Sequence, residues 1–362
     1  MSWSWQEQAA FRARVRGCLL GGALGDALGY PVEFDSLAAI RSNHGPDGVV
    51  GLVPDAAGRI GLVTDDTQMT LFTAEGLIRA SSRQEQRGFC NPTEVVRNAL
   101  LRWLETQRSA RPEPPDEIVR TGWLREQEWL YARRAPGNAC LSGLEAHRRP
   151  GGSSGPVNPD SKGCGGVMRS APFGIACLPD RAFDLAADCA KLTHGHPTGY
   201  YSAGAFAKIV AHLMAGESLR GAVLQTLETL RSHPGHEETS DALRQALDLA
   251  DKGSPSPAKV ESLGEGWVAE EALSIAVYCA LAETVSAAGA LILAVNHGGD
   301  SDSTGSMCGN LVGIRHGDFG LPPDWLALLE GRGTITELAD DFATRFMPGS
   351  RTPAWETRYP GC

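Results

Sequence analysis

Strand-like patterning is almost missing from this chain. Alternating β-branched runs are rare, and GVVGLV at 48–53 is the best short candidate. No apolar run reaches the roughly 18 residues that span a bilayer. The first residues, MSWSWQEQAAFRARVRG, lack the basic-then-apolar order of a secretory signal. There are nine cysteines but no CxxC pair. Cys18, Cys177, Cys189 and Cys279 lie in apolar helix-like segments and read as small buried hydrophobes, not as a disulfide framework or a zinc site. A cytoplasmic protein is expected. Excess basic charge is missing too. A net charge of −10 disfavours general binding to nucleic acid or anionic membranes. A local basic groove stays compatible with that charge, so a nucleic-acid substrate is not excluded.

Helical periodicity is what the chain has in quantity. It predicts helices near 7–29, 66–81, 93–107, 116–132, 181–193, 198–215, 217–231, 237–251, 268–281, 283–296, 302–315, 323–330 and 335–345. Pro/Gly/Ser-rich loops separate them at 108–117, 150–166 and 251–259. None is long enough to divide domains, and no repeat of fixed period is present. With 362 residues and 42% hydrophobic content, the chain can fill a sizeable core. The expectation is all-α: one multi-helix domain over 1–362, with long surface loops. No coiled-coil heptad stands out, so a monomer is expected. The tail from 346 carries no interpretable motif.

Two glycine stripes interrupt the helices. Gly21, Gly25 and Gly29 recur every four residues, as do Gly305, Gly309 and Gly313. A glycine inside a helix costs roughly 0.5–1 kcal/mol against alanine, so a stripe implies compensation. Either two helices pack tightly there, or the stripes floor a site where a ligand nears the backbone. Two acidic clusters also recur, each adjoining glycine. TDDT at 64–67 and DSDS at 300–303 each open an apolar-periodic helix. Either alone reads as a helix cap. The recurrence of the pattern points further, because four carboxylates and neighbouring hydroxyls form an all-oxygen donor set. Such a set suits Mg²⁺, Mn²⁺ or Ca²⁺ rather than zinc. Two divalent ions, spaced about 3.5–4 Å apart in known two-metal sites, would neutralise that charge.

Five motifs in order carry a family resemblance: GCLLGGALGDALGYPVEF (17–34), TDDTQMTL (64–71), KGCGGVMRSAPFG (162–174), THGHP (193–197) and NHGGDSDSTGSMCGNLVG (296–313). Together they make the chain resemble the ADP-ribosylglycohydrolases, over a motif core spanning 17–313. The resemblance implies an all-α fold with two Mg²⁺ or Mn²⁺ ions at the bottom of a cleft. It implies metal ligation by Thr64, Asp65 and Asp66, and by Asp300, Asp302 and Ser303. Many relatives carry Thr where Ser303 stands; serine keeps the hydroxyl. Glu33 aligns with an acid on a mobile active-site loop. The loop through Ser161, Gly163 and Gly165 resembles the one lining the diphosphate and ribose of ADP-ribose, with Cys164 where Asn is frequent. His194 aligns with a histidine at the substrate cleft.

The reaction so implied is hydrolysis of the C1″ bond between ADP-ribose and its acceptor on protein, through an oxocarbenium-like transition state. Glu33 is the preferred proton donor, and Asp302 the alternative carboxylate. Arginine is the default acceptor. Serine, an ADP-ribosyl metabolite, modified nucleic acid and a non-catalytic ADP-ribose-binding role are the alternatives. The bland readings are concrete as well. Glu33 can be a solvated loop acid, His194 and His196 helix caps, and Lys162 and Arg169 surface charges. Asp26, on the glycine helix, needs a buried partner and suits a backbone or outer-shell contact. Trp103, Trp123 and Trp129 read as core.

Overall fold

The computed structural model describes residues 3–116, 120–148, 156–347 and 355–360. Within them the chain runs through α1 (Trp5–Gly29), α2 (Leu37–His44), α3 (Asp65–Arg87), α4 (Pro92–Thr106), α5 (Asn138–Arg148), α6 (Ala171–Ala176), α7 (Pro179–Ala190), α8 (Pro197–Met214), α9 (Leu219–Leu230), α10 (Glu237–Ala250), α11 (Pro257–Glu261), α12 (Ala269–Ala282), α13 (Ala287–Val295), α14 (Ser301–His316), α15 (Pro323–Leu328), α16 (Arg332–Phe346) and α17 (Trp355–Arg358). The all-α expectation holds. The one β pairing among the described residues is an isolated bridge between Gly163 and Val268. No described helix is long and apolar enough to cross a membrane.

Local sequence explains many helix starts. Ser4 and Glu7 form a reciprocal capping box at α1, Ser218 caps α9, and Ser286 caps α13. The helices share one hydrophobic core, and Cys18, Cys189 and Cys279 are buried in it as free thiols. Cys177 packs against it, half-buried. Trp103 is fully buried, and Trp123 and Trp129 pack against the core, in keeping with the core reading.

At the centre, α1 and α14 run antiparallel along their glycine stripes. A Cβ built on Gly21 would fall on the Gly309 carbonyl oxygen, and one on Gly25 would fall on that of Gly305. Gly313 meets Gly17 in the same way, and Gly29 meets the Ser301–Asp302 peptide. The glycines therefore bring helix to helix, not ligand to helix. Their bearing on the site is positional: they lock the register of α14, whose first turn carries Asp302.

Three expectations need correction. The segment 116–132 is not a helix. Its described part forms two short 3₁₀ turns, Leu124–Glu126 and Glu128–Leu130. Gly122 has φ +88°, which breaks a helix. A buried arginine also takes a carbonyl of this segment: Arg79 donates to Thr121 O at 2.8 Å. Residues 117–119 lie outside the described set. GVVGLV is not a strand, because the Asn296 side chain pairs with it instead. Val49 N–H donates to Asn296 Oδ1 at 2.8 Å, and Asn296 Nδ2 donates to Val49 O at 2.8 Å. The predicted helix 283–296 begins only at Ala287. Helices α2, α5, α6, α11 and α17 were not anticipated. Part of the 150–166 loop and most of the tail after 347 fall outside the described residues.

Candidate active site

Asp26 organises the first acidic cluster. It sits fully buried in α1. Its carboxylate accepts from Thr64 N–H at 3.0 and 3.1 Å, from Thr67 N–H at 3.1 Å and from Thr67 Oγ1 at 2.5 Å. These donors belong to the first turn of α3, so Asp26 caps that helix from outside it. Burial raises its pKa to about 6, against the lowering effect of those hydrogen bonds. Thr64 is the N-cap, accepting from Asp66 N–H at 3.3 Å. Asp65 accepts from Gly137 N–H at 3.3 Å. Asp66 Oδ1 is buried without a partner in the structure.

The second cluster opens α14. Asp300 is the N-cap, and its own N–H donates to Glu265 O at 2.8 Å. Ser303 N–H donates to Asp302 at 2.9 Å and lies 3.4 Å from Asp300 Oδ1. The Cys164 thiol meets Asp300 Oδ2 at 2.8 Å. Burial, then the neighbouring Asp300 and Asp66, push that thiol well up, so it stays protonated.

Glu33 joins them from the turn after α1. It is 5% exposed, and Glu33 Oε2 has no hydrogen-bond partner. Glu33, Asp300 and Asp302 each place a carboxylate oxygen within 4.8 Å of the others. Burial, followed by Asp300, Asp65 and Asp26, raises Glu33 to about 9. Asp65, Asp66 and Asp302 are raised well above the ordinary carboxylate range, first by burial and then by neighbouring carboxylates: Asp26 and Asp300 for Asp65, Asp65 for Asp66, and Asp300 for Asp302. Carboxylates so crowded and under-bonded fit a divalent cation, which would supply the missing partner. The donors are all oxygen, the chemistry of Mg²⁺ or Mn²⁺.

A cleft of about 210 Å³ gathers these groups. Glu33, Asp65, Asp66, Asp300, Asp302 and Ser303 line it together. Gly163, Gly165 and His194 form another part of its wall. Thr64 and Ser161 do not line it. Thr64 is the buried N-cap of α3, adjoining Asp65 and Asp66 in the chain, and Ser161 is held in the loop by Asn158 O and His196 N–H. The loop is pinned from outside: Cys164 N–H donates to Trp267 O at 3.1 Å, and Ala269 N–H donates to Lys162 O at 2.8 Å. Lys162 itself bridges Glu238 and Glu270 at 2.8 and 2.7 Å, so it is a strut for the loop.

His194 is buried and held by a relay. Arg169 Nη2 donates to Thr193 Oγ1 at 2.7 Å, and that hydroxyl lies 2.8 Å from His194 Nδ1. Its other acceptor, Ala190 O, is farther at 3.3 Å. The shorter contact assigns the hydroxyl proton to Nδ1 and leaves the ring proton on Nε2, toward Gly163 and Gly165. Burial, with Arg169 nearby, lowers the pKa to about 3, so the ring is neutral.

Sequence reading missed one wall of the cleft. Residues 135–140, APGNAC, reach it from the turn into α5 and that helix's first residues. Ala135 has φ +45°, and the Pro-Gly pair that follows was the available turn signal. Trp267, the other missed lining residue, sits in GEGWV without helical periodicity.

The sequence model of the ADP-ribosylglycohydrolase family matches residues 7–351. The ADP-ribosyl-[dinitrogen reductase] glycohydrolase of Rhodospirillum rubrum is 26% identical over 326 residues, covering 88% of this chain and 90% of that protein. The ADP-ribosylarginine hydrolase Tri1 of Pseudomonas putida is 26% identical, covering 94% of this chain and 80% of its own. ADP-ribosylhydrolase ARH3 of Mus musculus is likewise 26% identical, covering 93% of each. A solved ADP-ribosylglycohydrolase-related protein superposes with a TM-score of 0.66 at 25% identity, covering 94% of this chain and all of that one. The chain belongs to the ADP-ribosylglycohydrolase family and is an enzyme of that class.

Proposed function

We propose that the protein removes ADP-ribose from arginine side chains of modified proteins, with a pair of Mg²⁺ or Mn²⁺ ions as cofactor. The observation that carries the reading is the convergence of two acidic helix starts and Glu33 on one cleft beside a glycine-rich loop. Asp65, Asp66, Asp300 and Asp302 would hold the ions, with the Thr64 and Ser303 hydroxyls as the further oxygens named by the family pattern. When bound, the ions would neutralise this charge and would supply hard positive centres for the hydroxyls of the distal ribose.

The chain's own groups then divide the work. Gly163 and Gly165 present backbone to the diphosphate side of the cleft, and His194 Nε2–H adds a neutral donor there. Glu33 is held beside the acids in a buried position that favours its protonated form. It would give its proton to the departing acceptor nitrogen as the C1″ bond opens, while a water would form the new bond to C1″ and return a proton to the carboxylate. Asp302 is the alternative carboxylate for proton handling. Arginine is favoured as the acceptor because the similar Tri1 protein is an ADP-ribosylarginine hydrolase.

The test is product release from ADP-ribosyl-arginine and ADP-ribosyl-serine peptides, with Mg²⁺, with Mn²⁺ and with EDTA. Metal-dependent release of ADP-ribose from the arginine peptide supports the full reading. Release only from the serine peptide replaces the acceptor. ADP-ribose binding without release from either turns the reading toward a binding protein or a non-protein substrate.

A further inference from the structure

A second cavity, of about 350 Å³, lies away from the cleft. It opens where the end of α8, the start of α9, the end of α12 and the C-terminal half of α14 meet, and α1 contributes Arg14 to it. It shares no lining residue with the cleft. Asp302 and Ile314 stand near opposite ends of α14, about 18 Å apart along the helix.

Its wall is aliphatic, built from Leu213, Leu219, Leu281, Leu311, Val312 and Ile314. No aromatic residue lines it, so nothing there would stack a nucleobase. Three guanidinium groups, of Arg14, Arg220 and Arg315, are set into this wall. Arg220 is paired with Asp251. Glu217, the one acid of the lining, lies 2.9 Å from His212 Nδ1 and accepts from Gln225 Nε2. The charges of Arg14 and Arg315 remain.

Neither of these two arginines has an acidic partner among the described residues, in a chain with 43 acidic and 33 basic residues. Each gives one N–H to the end of a helix. Arg14 Nη1 donates to Met214 O at 3.1 Å, at the close of α8, and Arg315 Nη1 donates to Ala280 O at 3.2 Å, near the end of α12. These contacts hold the guanidinium groups in place and offset the negative helix ends. The Nε and Nη2 groups of both have no protein acceptor among the described residues. Such a fork matches the oxygens of a carboxylate or phosphate. The first turn of α9 lines the same cavity. Its cap Ser218 accepts from Gly221 N–H at 3.1 Å, while helix geometry leaves the Leu219 and Arg220 N–H groups without an intrahelical acceptor. They add positive partial charge to the cavity.

We propose that this cavity is a second ligand site, which takes a small aliphatic oxoanion. The carboxylate or phosphate head meets Arg14 and Arg315, and the aliphatic body covers the leucine and isoleucine wall. The inference is independent of the hydrolase reading, since no group of the cleft takes part.

Calorimetric titration of the full chain with hexanoate, hexyl phosphate, hexanol and inorganic phosphate, each with and without saturating ADP-ribose, tests it. Hexanoate or hexyl phosphate should bind with a Kd of about 1 mM or below, and the tighter of the two identifies the head group. Hexanol and inorganic phosphate, each carrying half of the ligand, should bind more weakly by about tenfold or more. ADP-ribose should leave the affinity unchanged. Arg14→Gln and Arg315→Gln should each weaken binding about tenfold. Arg315 is exposed, so Arg315→Gln should keep the unliganded Tm of wild type, which separates lost binding from lost folding. No binding of hexanoate or hexyl phosphate at about 10 mM overturns the site. Hexanol binding as tightly as hexanoate overturns the anion recognition. Binding that ADP-ribose displaces and that both variants retain belongs to the cleft, and overturns the second site as well.

Discussion

Each acid in the cleft has a different neighbourhood, so single substitutions should separate their roles. Asp65 and Asp302 come from different helices, and among the described residues neither has a positive partner. If both hold cations, Asp65→Ala or Asp302→Ala abolishes turnover and weakens Mn²⁺ binding measured by calorimetry. Full activity in either would sink the two-metal reading. Glu33 is different, because its proposed task is a proton at one atom. Glu33→Gln should spare ADP-ribose affinity and lower kcat by about 10²- to 10⁴-fold in single-turnover assays. An unchanged rate removes Glu33 from the chemistry. His194 has no acid or base to offer at neutral pH, since burial keeps its ring neutral. Its contribution is the direction of one N–H. Nitrogen-15 spectra should find Nε2 protonated in wild type. Thr193→Val removes the hydroxyl that faces Nδ1, and the tautomer signal should then become mixed.

Among the elements, α1 and α14 set the frame of the site. Alanine at Gly25 drives a methyl into the Gly305 carbonyl, which only backbone movement can relieve. Gly25→Ala should therefore destabilise by about 3 kcal/mol in denaturant unfolding. Gly333, in α16, has open space where a Cβ would go. Gly333→Ala should instead stabilise by about 0.5 kcal/mol through helix propensity. Equal effects at the two positions would show that the stripe is not a packing device. The same contrast explains what could be read from sequence. The acidic helix starts were legible because capping and metal chemistry both depend on local residue type. The stripes were legible as spacing, but their partner was not, since Gly25 and Gly305 meet across 280 positions of chain. The segment 116–132 misled because its apolar spacing is helical, while Arg79, distant in sequence, takes its backbone carbonyl. The APGNAC wall and Trp267 carry no periodic signal at all. Only the folded chain brings them to the cleft.

At the scale of the whole molecule, the site stores electrostatic strain. A carboxyl whose folded pKa lies above its unfolded value binds more protons in the native state between the two values, so stability falls as pH rises through that window. For Glu33 the window runs from 4.5 to about 9. For Asp26 it runs from 3.8 to about 6. Asp65, Asp66 and Asp302 act with the same sign. His194 acts oppositely, adding stability as pH rises from about 3 to 6.5, and is spent above that. Above pH 6.5 the acids lead among these site groups, and the buried thiols, whose pKa values are raised above 9.0, add to the same downward trend as pH approaches 9. The EDTA-treated protein should therefore lose Tm steadily between pH 6.5 and 8.5. Saturating Mg²⁺ or Mn²⁺ binds the native state, replaces the missing protons as the counter-charge and should flatten that slope, so the metal-induced rise in Tm grows with pH. Thermal scans at several pH values, with EDTA and with each metal, measure both trends. A metal-free Tm that is flat or rising over this range would mean that the acids find their counter-charge within the chain, and the case for two cations would fall with it.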